Sequence, residues 1–206
     1  MAYEAITIKD GAGVNKTIMA IGDGTNYAFA HTTDSNIATY RASVSAFAMV
    51  ATPTVAFIIF GSASATVRVR KLRLAGAATA AANMPYTLYR GSTTGTIGSA
   101  VLGNITSSKA DSSNGAASAV CSTVGTANYT TVPTTAGLIG ASRLQMPALT
   151  TGLGVSADLW QFGTGGEQSV VLRGTSECFA VNFNGTAIPA GGVVDFAIEW
   201  TESATG

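Results

Sequence analysis

Hydrophobic and polar positions alternate with a period of two through most of the chain, in short stretches separated by clusters of Gly, Ser and Thr. Nowhere do apolar residues hold a helical spacing for several turns between caps, so the pattern predicts an all-β protein. The first predicted strand runs from Tyr3 to Lys9, with Ile6 and Ile8 on one face and Asp10-Gly11 as the turn signal behind it. A second, Thr17 to Ile21, ends at Gly22-Asp23-Gly24, and the two together read as a hairpin or an extended arm. Residues 25–42 are polar and irregular and include His31, Asp34 and Asn36. A boundary near residue 40 therefore divides the chain into an amino-terminal arm, 1–40, and a main domain, 41–206.

Within the main domain Val55 to Phe60 is apolar on both faces: Val55, Phe57 and Ile59 alternate with Ala56, Ile58 and Phe60. One sheet of a sandwich hides only one face from water, so this strand needs a second cover, and a neighbouring subunit is the natural candidate. Thr66 to Leu74 begins with Val67 and Val69 inward and Arg68 and Arg70 outward. Its phase slips at Lys71 and resumes with Leu72 and Leu74 inward and Arg73 outward. A β-bulge near Arg70-Lys71 absorbs such a slip. Ala75 to Asn83 reads as one helical turn or a loop, and Pro85 opens a strand from Tyr86 to Arg90. Residues 91–142 read as long loops with short strands around Val101-Leu102, Val120-Cys121 and Leu138-Ile139. Further strands follow at Leu159 to Phe162, Ser169 to Leu172, Phe179 to Phe183 and Val193 to Trp200, separated by turns at Gly163-Thr164-Gly165-Gly166, Asn184-Gly185 and Gly191-Gly192. The last strand puts Val194, Phe196, Ile198 and Trp200 on one face and Asp195, Ala197 and Glu199 on the other. Strands in this spacing, joined by unequal loops, predict a β-sandwich of the jelly-roll type.

Composition narrows the partners. Ala, Gly, Ser and Thr make up half of the chain, only 11% of residues are charged, and basic and acidic residues balance at 11 each. Such a surface makes no electrostatic bid for nucleic acid or membrane, and a chain this apolar is not a disordered one. The start Met1-Ala2-Tyr3-Glu4 lacks the basic-then-apolar pattern of a secretory signal, and the longest strongly apolar run, Val55 to Phe60, is far too short to span a bilayer as a helix. Charge is unevenly spread: residues 61–90 hold five basic residues and no acidic one, whereas 151–206 hold six acidic residues and only Arg173. The asymmetry reads as a device for strand register or subunit orientation. The alternative is that Arg68-Val69-Arg70-Lys71-Leu72-Arg73 binds phosphate or an acidic surface.

Chemistry is sparse. His31 is the only histidine and no Gly-x-Ser-x-Gly elbow accompanies it, so nucleophilic catalysis lacks its base. Cys121, Cys178 and His31 stand singly, without metal-ligand spacing, and the two cysteines read as buried free thiols. Loop carboxylates at Asp23 or Asp34 are the candidates for calcium. Asp195 and Glu199 share a strand face and are the pair a glycosidase would use, but they read more simply as solvated. Asn-x-Ser/Thr sequons at Asn15, Asn104, Asn128 and Asn184 are expected by chance in so Thr-rich a chain. The expectation is a protein without enzymatic activity, cofactor or small-molecule substrate.

The segment Pro53-Thr54 through Phe57, Ile59 and Gly61-Ser62-Ala63, followed by Thr66-Val67-Arg68-Val69, resembles a group of virion structural proteins of tailed bacteriophages. Val171-Leu172-Arg173-Gly174-Thr175-Ser176-Glu177 leading into Phe179 to Gly185, and the closing Glu199-Trp200-Thr201-Glu202, are similar too, as is the opening Ile6-Thr7-Ile8-Lys9-Asp10-Gly11. The resemblance covers most of residues 45–202. It implies a jelly-roll sandwich that assembles as a homotrimer and attaches to a virus particle. The first expectation is a capsid decoration (cement) protein, located in the virion. Its arm would add strands to sheet edges of the major capsid protein, and its subunit or capsid contacts would come from Tyr3, Ile6, Ile8, Ile58, Phe60, Arg68, Arg70 and Arg73. The second is a head-fibre, tail or receptor-binding module recognising a host glycan or protein, with Tyr129, Trp160 and Phe162 as its suggestive residues. A carbohydrate-active enzyme using Asp195 or Glu199 is the third.

Overall fold

A computed structural model describes residues 2–9, 15–22, 27–29, 37–149, 157–164 and 168–204. The chain forms two compact units, Met1–Asn36 and Ile37–Gly206. In the first, β1 (Ala2–Lys9) pairs along its whole length with β2 (Asn15–Gly22), which pairs in turn with β3 (Tyr27–Phe29). The predicted hairpin is thus present and carries a third strand, inside the stretch the sequence marked as irregular. Its two turn signals, apart from Gly22, lie outside the described residues, as do His31, Asp23 and Asp34.

The second unit is a β-sandwich of two antiparallel sheets. One is built on β4 (Ala38–Phe47), β6 (Ala65–Ala77) and β15 (Val193–Ala204), with β9 (Ser108–Lys109) beside β4, and with β12 (Ala157–Gln161) and β13 (Val170–Leu172) sharing the far edge of β6. The other runs in the order β11 (Thr135–Met146), β7 (Ala82–Gly91), β14 (Cys178–Asn182), β5 (Val55–Phe60), β10 (Val120–Val124), β8 (Leu102–Ile105). Three stretches depart from the sequence reading. Where 25–42 was expected to be irregular, β4 already begins at Ala38. Where a helical turn or loop was expected after Ala75, β6 continues to Ala77. The apolar doublet Leu138-Ile139 belongs to a twelve-residue strand rather than a short one. Pro85 sits inside β7 rather than at its start, in the part that β11 alone pairs, where a missing N–H is tolerated.

Alternation builds the core as expected. Val67, Val69, Leu72 and Leu74 of β6 face Phe57 and Ile59 of β5 and Leu88 of β7 across the sandwich, together with Val194, Phe196, Ile198 and Trp200 of β15, and all are buried. Phe57 and Phe196 stack with ring centroids 5.2 Å apart, and Phe162 meets Phe179 edge-on at 5.6 Å. The predicted bulge is present: Lys71 pairs with Glu199 but Val69 pairs with Trp200, so Arg70 is the extra residue and both phases of β6 keep their apolar side chains inward. A second bulge, on β4, answers Asp195. Its Oδ1 accepts the Ala46 N–H at 2.7 Å, and Ala46 adopts φ +51°.

Candidate assembly surface

The sandwich supplies its own cover for β5. On the outer side of that sheet Val55, Ile58, Tyr89, Cys178 and Ala180 form a second, smaller core, closed by Ala100, Tyr129, Ile97, Ala127 and Val132 from the connections after β7 and β10. Asn128 pins this cover. Its Oδ1 accepts the Thr54 N–H at 2.8 Å, and its Nδ2 donates to the Thr52 carbonyl at 2.8 Å. The expectation that a neighbouring subunit covers Ile58 is therefore corrected: Ile58 has no exposed surface, and loops of the same chain bury it. Sequence could not show this, because the covering residues lie in Ser- and Thr-rich stretches without periodicity.

Phe60 fares differently. It lies at the margin of the small core, half-buried, opposite Val120 in the β5–β10 ladder. With Val120 and Leu102 it lines a groove of about 470 Å³, to which Gly61, Ser62 and Ser64 also contribute. Val120 is 44% exposed and Val101, next to Leu102, is 58% exposed. The small core thus runs out to the surface as an apolar patch at one edge of the sheet. Tyr3, Ile6 and Ile8 lie on β1, and their side chains are outside what is described.

The basic strand is on the outer face of the other sheet. Arg68 donates to Ser203 Oγ at 2.7 Å, Arg70 reaches the Gly163 carbonyl at 3.4 Å, and Arg73 is exposed and makes no hydrogen bond or ion pair among the described residues. Glu199 lies between two cations in the ladder, 2.7 Å from Arg41 Nε and 3.5 Å from Lys71 Nζ. Burial would raise its carboxyl, but the hydrogen bond from Arg41 and the charge of Lys71 outweigh that and hold it below the usual range. Arg90 and Glu177 make a further pair at 2.9 Å. Part of the uneven charge is thus used within the chain, for register. Glu199, one of the two carboxylates a glycosidase would use, is thus held toward its ionised form, whereas a general acid needs a raised pKa.

The aromatic residues offered as a recognition patch are structural. Tyr129 and Phe162 are buried, and Trp160 bridges the edge strands β11 and β12. Its Nε1–H donates to the Tyr86 hydroxyl at 2.8 Å, which donates to Asp158 at 2.7 Å. Gly140 is glycine because a Cβ there would stand 2.6 Å from the Trp160 ring. Cys121 and Cys178 are free and buried, and burial pushes the Cys178 thiol up to about 11. Among the described residues no group of His, Cys, Asp and Glu is disposed to hold a metal ion.

One residue quoted only as a sequence likeness has a clear structural task. Glu202 on β15 is buried, pairs with no cation among the described residues, and accepts hydrogen bonds from the Ser118 N–H, Ser118 Oγ, the Ala119 N–H and Trp200 Nε1–H, at 2.6–3.1 Å. Tyr40 reinforces the same loop by donating to the Gly115 carbonyl at 3.1 Å. No periodicity signals this latch, because its partners are one carboxylate and an irregular loop. Comparison with protein-family models, with characterised proteins and with solved structures found no match to the chain.

Proposed function

We propose that the chain is a virion structural protein of a tailed bacteriophage, a capsid decoration protein that trimerises and binds neighbouring copies of the major capsid protein. The observation that carries this reading is the strand order. The first sheet contains the run β13-β6-β15-β4 and the second the run β11-β7-β14-β5, and the successive strands β4, β5, β6 and β7 fall alternately in the two sheets. Such an order is the one expected of a jelly roll, an arrangement found among viral capsid domains, so it supports the fold-level analogy without specifying a site.

The patch at Phe60, Val120 and Leu102 supports the assembly half of the reading, because an exposed apolar groove continuous with a core is a contact surface. Its occupant is a second copy of the chain. The β1–β3 unit supports attachment, since its outer strands keep edges that no other described strand pairs. Binding of this kind strengthens a shell by added contacts, with no reaction to perform. A head-fibre or receptor-binding role is the weaker reading, because Tyr129, Trp160 and Phe162 do not form an exposed patch.

Co-sedimentation of the full chain with empty heads of the virus that encodes it tests the proposal. The expected result is saturation at a simple ratio to the major capsid protein, and loss of binding when residues 1–36 are deleted. Heads that pellet without the chain would overturn it.

A further inference from the structure

We propose that the mouth of the sandwich between β11 and β13 is a docking cleft for an extended acidic segment of a partner polypeptide. A cleft of about 540 Å³ opens there. Leu138, Ile139, Phe162 and Val171 make its apolar walls and floor, while Arg90, Arg173 and Gln168 supply its polar groups. Whether the chain serves in a virion does not bear on this cleft.

Charge identifies the occupant. Arg90 shares the inward face of β7 with Tyr86 and Leu88, so a cation points into the gap between the sheets at its open end. Its Nη1 donates to Glu177 Oε1 at 2.9 Å, and Glu177 Oε2 accepts the backbone N–H of Arg173 at 2.7 Å. Both oxygens of that carboxylate are thus engaged. The guanidinium of Arg173 is exposed and has no hydrogen bond or ion pair among the described residues. Two guanidinium groups, Arg90 and Arg173, therefore stand beside one carboxylate, a site complementary to an anion and suited to the paired donors of arginine.

Backbone and apolar surface decide between kinds of anion. β11 pairs only with β7, and β13 only with β6, so both strands at the cleft keep an edge that no other described strand occupies. Ile139 is the extra residue of a bulge in β11, and Leu138 beside it is 65% exposed. An unpaired edge flanked by exposed aliphatic side chains is a template for an added strand, with pockets for alternate residues giving selectivity. A saccharide would want an open aromatic face, and Phe162 is buried with its ring engaged by Phe179. The fitting occupant is a strand whose residues alternate between carboxylate and aliphatic.

The test uses the full chain and a short fluorescein-labelled peptide of alternating aspartate and valine, followed by fluorescence anisotropy. The expected result is saturable binding that weakens about tenfold or more in Arg173→Ala, a loss of ~1.4 kcal/mol, and that also weakens in Leu138→Asp and with added salt. Both side chains are exposed, so the thermal unfolding midpoints of these variants should match the parent. No saturable binding, equal binding by Arg173→Ala and the parent, or saturable binding of sialyllactose in place of the peptide would each overturn the proposal.

Discussion

Glu202 is the residue on which one long loop depends. Its carboxylate collects donors from Ser118, Ala119 and Trp200 and pairs with no cation among the described residues, so there its charge is met by hydrogen bonds. Burial pulls its pKa upward, but the bonds from Ser118, Trp200 and the Ser118 and Ala119 backbone outweigh burial and leave it lowered. A lowered folded-state value means that the stabilisation is fully present above the unfolded value of ~4.3 and is lost as the pH falls through the folded one. Glu202→Gln should therefore cost about 1–3 kcal/mol at pH 7, the range for hydrogen bonds to a charged group. The gap between variant and parent should narrow as the pH drops below about 4, where the parent takes up the proton. Chemical denaturation at the two pH values checks both; equal midpoints at pH 7, or a gap unchanged in acid, would contradict this role.

At the scale of elements β5 separates two kinds of surface only one residue apart. Ile58 belongs to a core that the chain closes by itself, whereas Phe60, beyond Ile59, opens onto the apolar groove. Ile58→Ala should cost about 2–5 kcal/mol in an isolated monomer, as a fully buried aliphatic truncation does. Val120→Asp, beside Phe60 in that groove and 44% exposed, should leave monomer stability nearly unchanged and act on self-association. Urea titrations of both variants at low protein concentration distinguish them, and similar costs at the two positions would contradict the division. How legible the elements were depended on contrast between neighbouring residues. The bulge at Arg70 could be read because valine and leucine alternate there with arginine and lysine, and β15 could be read for the same reason. By contrast β4 alternates Tyr40 and Ala42 with Arg41 and Ser43 and then loses its phase at the Ala46 bulge, and β11 carries two register shifts and glycines at 137 and 140. Small side chains and bulges erase the period on which a strand is recognised. The cover over Ile58 and the Glu202 latch were illegible for another reason: each joins residues far apart in sequence through irregular loops.

The whole molecule combines a small three-stranded sheet with a sandwich that satisfies its own core. Completeness of that core changes what assembly has to explain. A neighbouring copy is not required to bury β5, so the proposed self-association would rest on the patch of Phe60, Val120 and Leu102 and on sheet edges that no other described strand pairs. A chain with only 11% charged residues has little charge repulsion to keep such copies apart. Light scattering of the purified full chain, alongside Val120→Asp, tests this most directly. The account expects three times the chain mass of 20.7 kDa for the parent and a shift toward the single-chain mass for the variant. A parent that stays monomeric at tens of micromolar, or a variant that trimerises as well as the parent, would contradict it.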